Sequence, residues 1–262
     1  MKALVNNITL AYSDRGTGPP IVFLHAFPLN RRMWASQEAT FALRHRVITI
    51  DLRGHGESDA PLWHYSLDQS ADDLRALLDQ LSIPQAIVIG LSMGGYILFA
   101  FYRKYPDRVR ALVLADTRPQ GDTAEGKHKR FQMAQIAYTK GSAAIADLMI
   151  PVLLSPVTVE TNPAVVQGVR EMIVGNQVSG IAGSLMAMSE RPDSTPLLRH
   201  ITCPTQIIVG ELDVPTPPAD SSQMAEQIPH ARLAIIPGAG HLSNLEQPSA
   251  FNRILGGFLS EL

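Results

Sequence analysis

A serine hydroxyl is a poor nucleophile at neutral pH. It becomes reactive only when a nearby base takes its proton as it attacks. This chain holds one serine in a setting built for exposure. Gln85 to Tyr105 reads QAIVIGLSMGGYILFAFYRKY: a short apolar run rich in β-branched residues, then Gly90-Leu91-Ser92-Met93-Gly94-Gly95, then an apolar stretch that ends at Pro106. The pattern is strand, tight turn and helix, with Ser92 at the tip. Gly90 and Gly94 suit a turn in which neighbouring backbones approach too closely for side chains, and the serine itself must occupy strained φ/ψ space. The pentapeptide alone also fits a plain glycine-rich turn, so the flanking strand and helix carry more of the weight.

The base and its orienting acid are sought where sheets present them. In open α/β sheets, ligands collect beyond the carboxyl ends of the strands. An amino-terminal hairpin is expected from Ala3–Val5 and Ile8–Tyr12 around Asn6-Asn7. Buried strands are expected at Ile21–Leu24, Arg46–Ile50, within 86–91, Arg110–Ala115, Thr205–Val209 and Arg232–Ile236. Helices alternate with them around Met33–Leu43, from Ser66 and Leu67 onward, after the elbow, over Ala219–Ile228 and from Ser249. This alternation argues a mostly parallel α/β sheet. From about Pro119 to Thr195 there is helical patterning and no convincing strand, which divides the chain into a core of residues 1–118 and 196–262 and a helical insertion of residues 119–195. Ser92, Asp213 and His241 all follow expected strands. An imidazole titrates near neutrality and can serve as the base, and a carboxylate on its other nitrogen fixes the tautomer and stabilises the imidazolium.

Composition narrows the partners. With 262 residues, 45% of them apolar, the chain can bury a substantial core without disulfide or metal. Twenty-two basic and twenty-four acidic residues leave a net charge of −2, and no basic run marks a nucleic-acid or anionic-lipid surface. The expected partner is a small molecule of low charge. The one cysteine, Cys203, excludes an intrachain disulfide and reads as a structural thiol. Met1 to Leu10 lacks the apolar core of a signal peptide and the apolar runs are short for a membrane span, so a cytoplasmic protein is expected. A homo-oligomer is left open.

The order Ser92, Asp213, His241 belongs to one architecture in particular, and the chain resembles the α/β-hydrolase fold family over almost its full length, specifically the small members with a helical cap. The resemblance rests on Gly90-Leu91-Ser92-Met93-Gly94, His25-Ala26-Phe27-Pro28, the stretch Asp51-Leu52-Arg53-Gly54-His55-Gly56-Glu57-Ser58, Gly210-Glu211-Leu212-Asp213 and the run from Gly240-His241 to Glu246-Gln247-Pro248. It implies a mostly parallel twisted sheet flanked by helices, Ser92 as nucleophile, His241 as general base and then acid, and Asp213 as orienting acid. It also implies an oxyanion hole from the backbone N–H groups of Met93 and Phe27, with no cofactor and no metal. Ala26 stands where the commoner pattern has glycine.

Each assignment has a plainer competitor. Asp116 also follows a strand and could be the acid instead. Asp51, His55 and Ser58 read as a hydrogen-bonded structural turn, His25 as a brace for the oxyanion loop, and Glu246 as a tie for the histidine loop. His45, His64, His128, His200 and His230 have no metal-ligand spacing. The methionines of the insertion read as packing. A serine nucleophile implies acyl transfer to water, whereas family members with an aspartyl ester intermediate, the dehalogenases and epoxide hydrolases, need Asp at position 92. The expected activity is hydrolysis of small to medium carboxylic esters. A lactonase of the 3-oxoadipate enol-lactonase type, a perhydrolase or haloperoxidase-type esterase, and a small-molecule receptor of the same fold are the alternatives. Acidic substrates would need a free cation, for which Arg31, Arg32, Lys127, Lys129 and Arg130 are candidates.

Overall fold

The computed structural model describes residues 1–62 and 65–262, and His64 therefore lies outside the described residues. The chain opens with β1 (Lys2–Val5) and β2 (Ile8–Arg15), an antiparallel hairpin. Asn6 and Asn7 turn it at φ 46° and 63°, a left-handed conformation that asparagine tolerates. β3 (Pro20–Leu24), β4 (Arg46–Ile50), β5 (Ala86–Leu91), β6 (Val109–Ala115), β7 (Thr205–Gly210) and β8 (Arg232–Ile236) follow. Among the described residues these strands form one eight-stranded sheet in the order β1-β2-β4-β3-β5-β6-β7-β8. β2 joins β4 antiparallel, and every pairing from β4 to β8 is parallel. The inner strands are buried along nearly their whole length, as expected of a sheet covered by helices on both faces.

The covering helices follow from apolar spacing and caps. A short 3-10 turn leads into α1 (Ala35–Phe41). In α2 (Leu67–Gln80) Leu67, Ala71, Leu74, Leu77 and Leu78 are buried at helical spacing. Ser66 caps it: its hydroxyl accepts from the Gln69 amide at 3.1 Å, and the Gln69 side chain accepts from the Ser66 amide at 3.1 Å. Such a cap stabilises a helix by about 1 kcal/mol. α3 (Met93–Lys104) starts directly after Ser92 and is almost wholly buried.

Residues 119–195 carry α4 (Ala124–Leu153), α5 (Pro156–Thr161), α6 (Pro163–Val174) and α7 (Val178–Ser189). α4 is long and apolar enough, by length and composition, to cross a membrane, which the short apolar runs had not suggested. Gly141, at φ 81° and ψ 176°, interrupts its helical geometry and divides it into two shorter helices. The two ends of this segment are held together. The Ser194 amide donates to Pro119 O at 2.8 Å, and Arg191 reaches Asp122 at 2.7 Å and the Gln120 carbonyl at 2.9 Å. The Arg191 guanidinium also lies 4.2 Å from the centroid of the Tyr96 ring on α3. Helices α8 (Pro218–Gln227), α9 (Ser243–Glu246) and α10 (Pro248–Leu259) complete the core.

Close backbone approach at the elbow explains its glycines. A Cβ on Gly90 would lie 2.4 Å from the Gly94 carbonyl carbon, and one on Gly94 would lie 2.3 Å from Leu24 O. Both obstacles are backbone and cannot rotate away. Gly94→Ala is therefore expected to destabilise the protein by about 2 kcal/mol or more, read as a lowered urea midpoint. An unchanged midpoint would contradict this packing.

Candidate active site

Ser92 sits at φ 55° and ψ −112°, which costs a non-glycine residue about 1–3 kcal/mol and persists only where neighbours hold it. They do. The Ser92 amide donates to Ala115 O at 3.0 Å, and Ser92 O accepts from the Tyr96 amide at 3.1 Å and from the Thr117 hydroxyl at 2.9 Å. Thr117 is fully buried and was not singled out by the sequence reading, which stopped at Asp116.

The loops leaving β7 and β8 bring the other two residues to the serine. His241 Nε2 lies 2.8 Å from Ser92 Oγ, and His241 Nδ1 lies 2.9 Å from each Asp213 oxygen. Asp213 also accepts from the Thr216 amide at 2.9 Å and the Thr216 hydroxyl at 2.7 Å. A carboxylate accepts only, so Nδ1 carries the proton and Nε2 offers its lone pair to the serine hydroxyl. Thr216 was missed by the sequence reading, although a carboxylate followed three residues later by threonine is the spacing of a side-chain cap.

Asp116, the competing acid, points elsewhere. Its oxygens accept from the Gly210 amide at 2.8 Å and the Ser243 hydroxyl at 2.5 Å, which ties the exit of β7 to α9. Burial, followed by the nearby Asp213 charge, pushes its carboxyl well above the usual range. The imidazole of His241 bonds Asp213 instead.

A family profile described as alpha/beta hydrolase fold matches residues 19–248. The chain belongs to the α/β-hydrolase fold family. It is 34% identical over 248 residues to 3-oxoadipate enol-lactonase 2 of Acinetobacter baylyi, covering 95% of this chain and 90% of that protein. Among solved structures, a thermophilic esterase from Thermogutta terrifontis with malate bound superposes with a TM-score of 0.96 at 39% identity, covering 100% of this chain and 98% of that one. An enol-lactonase from Burkholderia xenovorans superposes with a TM-score of 0.93 at 31% identity, covering 99% of this chain and 100% of that one.

In this α/β-hydrolase, Leu24 at the end of β3 pairs with Gly90 in β5, so the loop from His25 leaves the sheet beside the elbow. Leu29 N donates to Ala26 O at 2.9 Å, closing a tight turn around Phe27 and Pro28. Ala26 does not adopt a positive φ, which is why glycine is dispensable there. Among the described residues no backbone hydrogen bond occupies the Phe27 amide. Met93 is the first residue of α3, where an amide has no acceptor within its helix. His25 braces the loop: Nδ1 donates to Ala26 O at 2.9 Å, and Nε2 accepts from Leu52 N at 3.0 Å.

Neighbouring polar residues are structural, as the sequence suggested. Asp51 accepts from the Arg31 amide at 2.8 Å, the Glu57 amide at 2.9 Å and the Arg31 guanidinium. Ser58 bridges Asp51 O and Ala11 N. Glu246 accepts from Gly240 N at 2.9 Å and from Ser155 N at 2.8 Å, so it ties the His241 loop to the helical segment. Of the candidate cations, Arg31 pairs with Asp51 and Glu57, Arg32 with Glu171, Lys129 with Glu125 and Arg130 with Asp122. Among the described residues no cluster of His, Cys, Asp and Glu could hold a metal ion.

Burial lowers the pKa of all three buried histidines, but only in His241 is it outweighed. For His241 burial pulls the pKa down, but the Asp213 charge and hydrogen bond, joined by the smaller effects of the Asp116 and Glu246 charges, together outweigh it, and the pKa is raised from 6.5. Burial lowers His25 to about 4. Burial and then the His25 charge lower His55 to about 3. The unfolded chain therefore takes up protons on His25 and His55 below about pH 6.5 while the folded chain does not, and stability is lost as pH falls. The urea midpoint is expected to drop between pH 6.5 and 5, with a shallower slope in His55→Asn. An identical slope in that variant would show that His55 is not buried in its neutral form.

Proposed function

We propose that the protein is a serine carboxylic-ester hydrolase in which Ser92 is the nucleophile, His241 the general base and acid, and Asp213 the orienting acid. The observation that carries this reading is the continuous hydrogen-bonded chain from Asp213 through His241 to Ser92. Ser92 Oγ attacks the ester carbonyl carbon as its proton passes to His241 Nε2. The carbonyl oxygen becomes an oxyanion held by the Phe27 and Met93 amides. His241 then protonates the leaving alcohol, an acyl-Ser92 remains, and a water deprotonated by His241 releases the acid. In this reading residues 119–195 form a cap over the strand ends. Its support is that this segment touches the loops after β3, β4 and β8 through Asn176, Gly180 and Ser155.

The preferred substrate is an uncharged ester of small to medium size, because four of the five candidate cations are already matched by acidic partners. Lactone hydrolysis is the second reading. It is favoured by the enol-lactonase names of two of the relatives, and it uses the same machinery with both products joined. A panel of p-nitrophenyl esters of increasing acyl length and of lactones separates the two. Ester turnover at ordinary rates is expected, and Ser92→Ala is expected to lower it by about 10⁴-fold or more. Turnover of lactones alone would select the second reading. No hydrolysis of either class by the folded protein would favour a small-molecule receptor and overturn the proposal.

A further inference from the structure

The oxyanion turn depends on a residue far away in the chain. Ala26, Phe27, Pro28 and Leu29 are all buried, so their carbonyls need partners inside the protein. The Ala26 carbonyl has two, the Leu29 amide and His25 Nδ1. The Pro28 and Leu29 carbonyls meet the connection between α6 and α7. There Asn176, 4% exposed, donates from Nδ2 to Pro28 O at 2.7 Å and to Leu29 O at 3.2 Å. Its Oδ1 accepts from Gly56 N at 2.7 Å. One amide side chain thus bridges the loop after β3 and the loop after β4.

Two neighbouring features make this bridge rigid. A Cβ on Gly180 would lie 1.7 Å from Gly54 O, so the start of α7 is pressed backbone to backbone against the β4 loop. Gly56 lies against the Asp51 carboxylate, where a Cβ would fall 2.3 Å from its carbon, and Asp51 in turn holds the Arg31 amide just beyond the oxyanion turn. Asn176 therefore closes a ring: oxyanion turn, Arg31, Asp51, Gly56, Asn176 and back to Pro28. The Phe27 amide adjoins that ring, one residue before the carbonyl that Asn176 holds.

We propose that Asn176 is a positioning residue for the oxyanion hole, fixing the Phe27 amide through Pro28 O and Leu29 O and so coupling the seating of the 119–195 segment to transition-state stabilisation. This rests on the reading of Ser92 as nucleophile and Phe27 as oxyanion donor. A displacement of about 1 Å in such a group can lower turnover about 100-fold without touching substrate. The substitution should accordingly act on kcat and leave KM largely in place, because the amide gains its interaction only as charge develops.

The test compares wild type with Asn176→Ala, Asn176→Asp and Ser179→Ala. Ser179 makes another hydrogen bond between this segment and the core, to Ala60 O at 3.3 Å, without touching the oxyanion turn. Kinetics on the best p-nitrophenyl ester are read beside the inhibition constant of a trifluoromethyl ketone, whose adduct carries an oxyanion. In Asn176→Ala a loss in kcat of roughly 10-fold to 100-fold is expected, with KM within about threefold and ketone affinity falling in parallel. Asn176→Asp keeps the acceptor for Gly56 N and loses the donor, so it should show the same split and serves as the folded variant if the alanine variant is unstable. Ser179→Ala should stay within about twofold of wild type. Unchanged kcat and ketone affinity in a folded Asn176 variant, or a rise in KM alone, would overturn the inference. Wild type is first treated with a serine-directed fluorophosphonate: absence of both Ser92 labelling and ester turnover would sink the underlying reading itself, whereas labelled and active wild type with indifferent variants would sink only the role of Asn176.

Discussion

The structure depends on keeping a charged carboxylate buried beside an imidazole. Asp213 is 3% exposed and His241 2% exposed, and an unpaired carboxylate in such a place would cost several kcal/mol or take up a proton. Here both Asp213 oxygens are matched by Thr216 and by His241 Nδ1–H. The same interaction points the Nε2 lone pair of His241 at Ser92. Geometry and acid–base poise thus come from one pairing, and the second acid, Asp116, is turned to Ser243 and Gly210, away from the imidazole.

The sheet supplies the frame. β3, β5, β6, β7 and β8 run parallel, so their carboxyl ends lie on one side and the loops that leave them meet there. Ser92, Phe27, Asp213 and His241 come from four of those loops, separated by as many as 214 positions in the chain. Glycines set the clearance, since Gly90 and Gly94 let α3 start against β3. Glu246 and Asn176 bind the 119–195 segment to the loops that carry His241 and Phe27. The helical segment is therefore joined to both loops.

Much of this was legible in the sequence because it is local. The strand over Arg46–Ile50, the helix start at Ser66 and Leu67 and the elbow at Ser92 each depend on a few adjacent residues, and they fall where periodicity and glycine placed them. Between Asp213 and Asp116 the sequence favours Asp213 for its Gly-Glu-Leu-Asp setting, but both follow strands, and the direction of the two side chains is visible only in the structure. Thr117, Thr216 and Asn176 were overlooked for a related reason. Their importance lies in which carbonyl or carboxylate they reach across space, and Asn176 meets a carbonyl 148 residues away. The break in α4 at Gly141 escaped notice too, since one glycine within a helical pattern reads as tolerable until its φ is known.

In the mechanism proposed above, Asp213 holds His241 in the tautomer and at the pKa needed to activate Ser92. The pH dependence of kcat/KM on an ester substrate, measured for wild type and for Asp213→Asn, tests it most directly. In the proposed mechanism neutral His241 is the active form, so wild-type activity should fall as pH drops through a midpoint above 6.5. In Asp213→Asn, activity should fall by about 10⁴-fold, and the midpoint of what remains should move down, because burial is then opposed only by the smaller effects of Asp116 and Glu246. Activity in that variant within tenfold of wild type, with an unmoved midpoint, would contradict this role of Asp213.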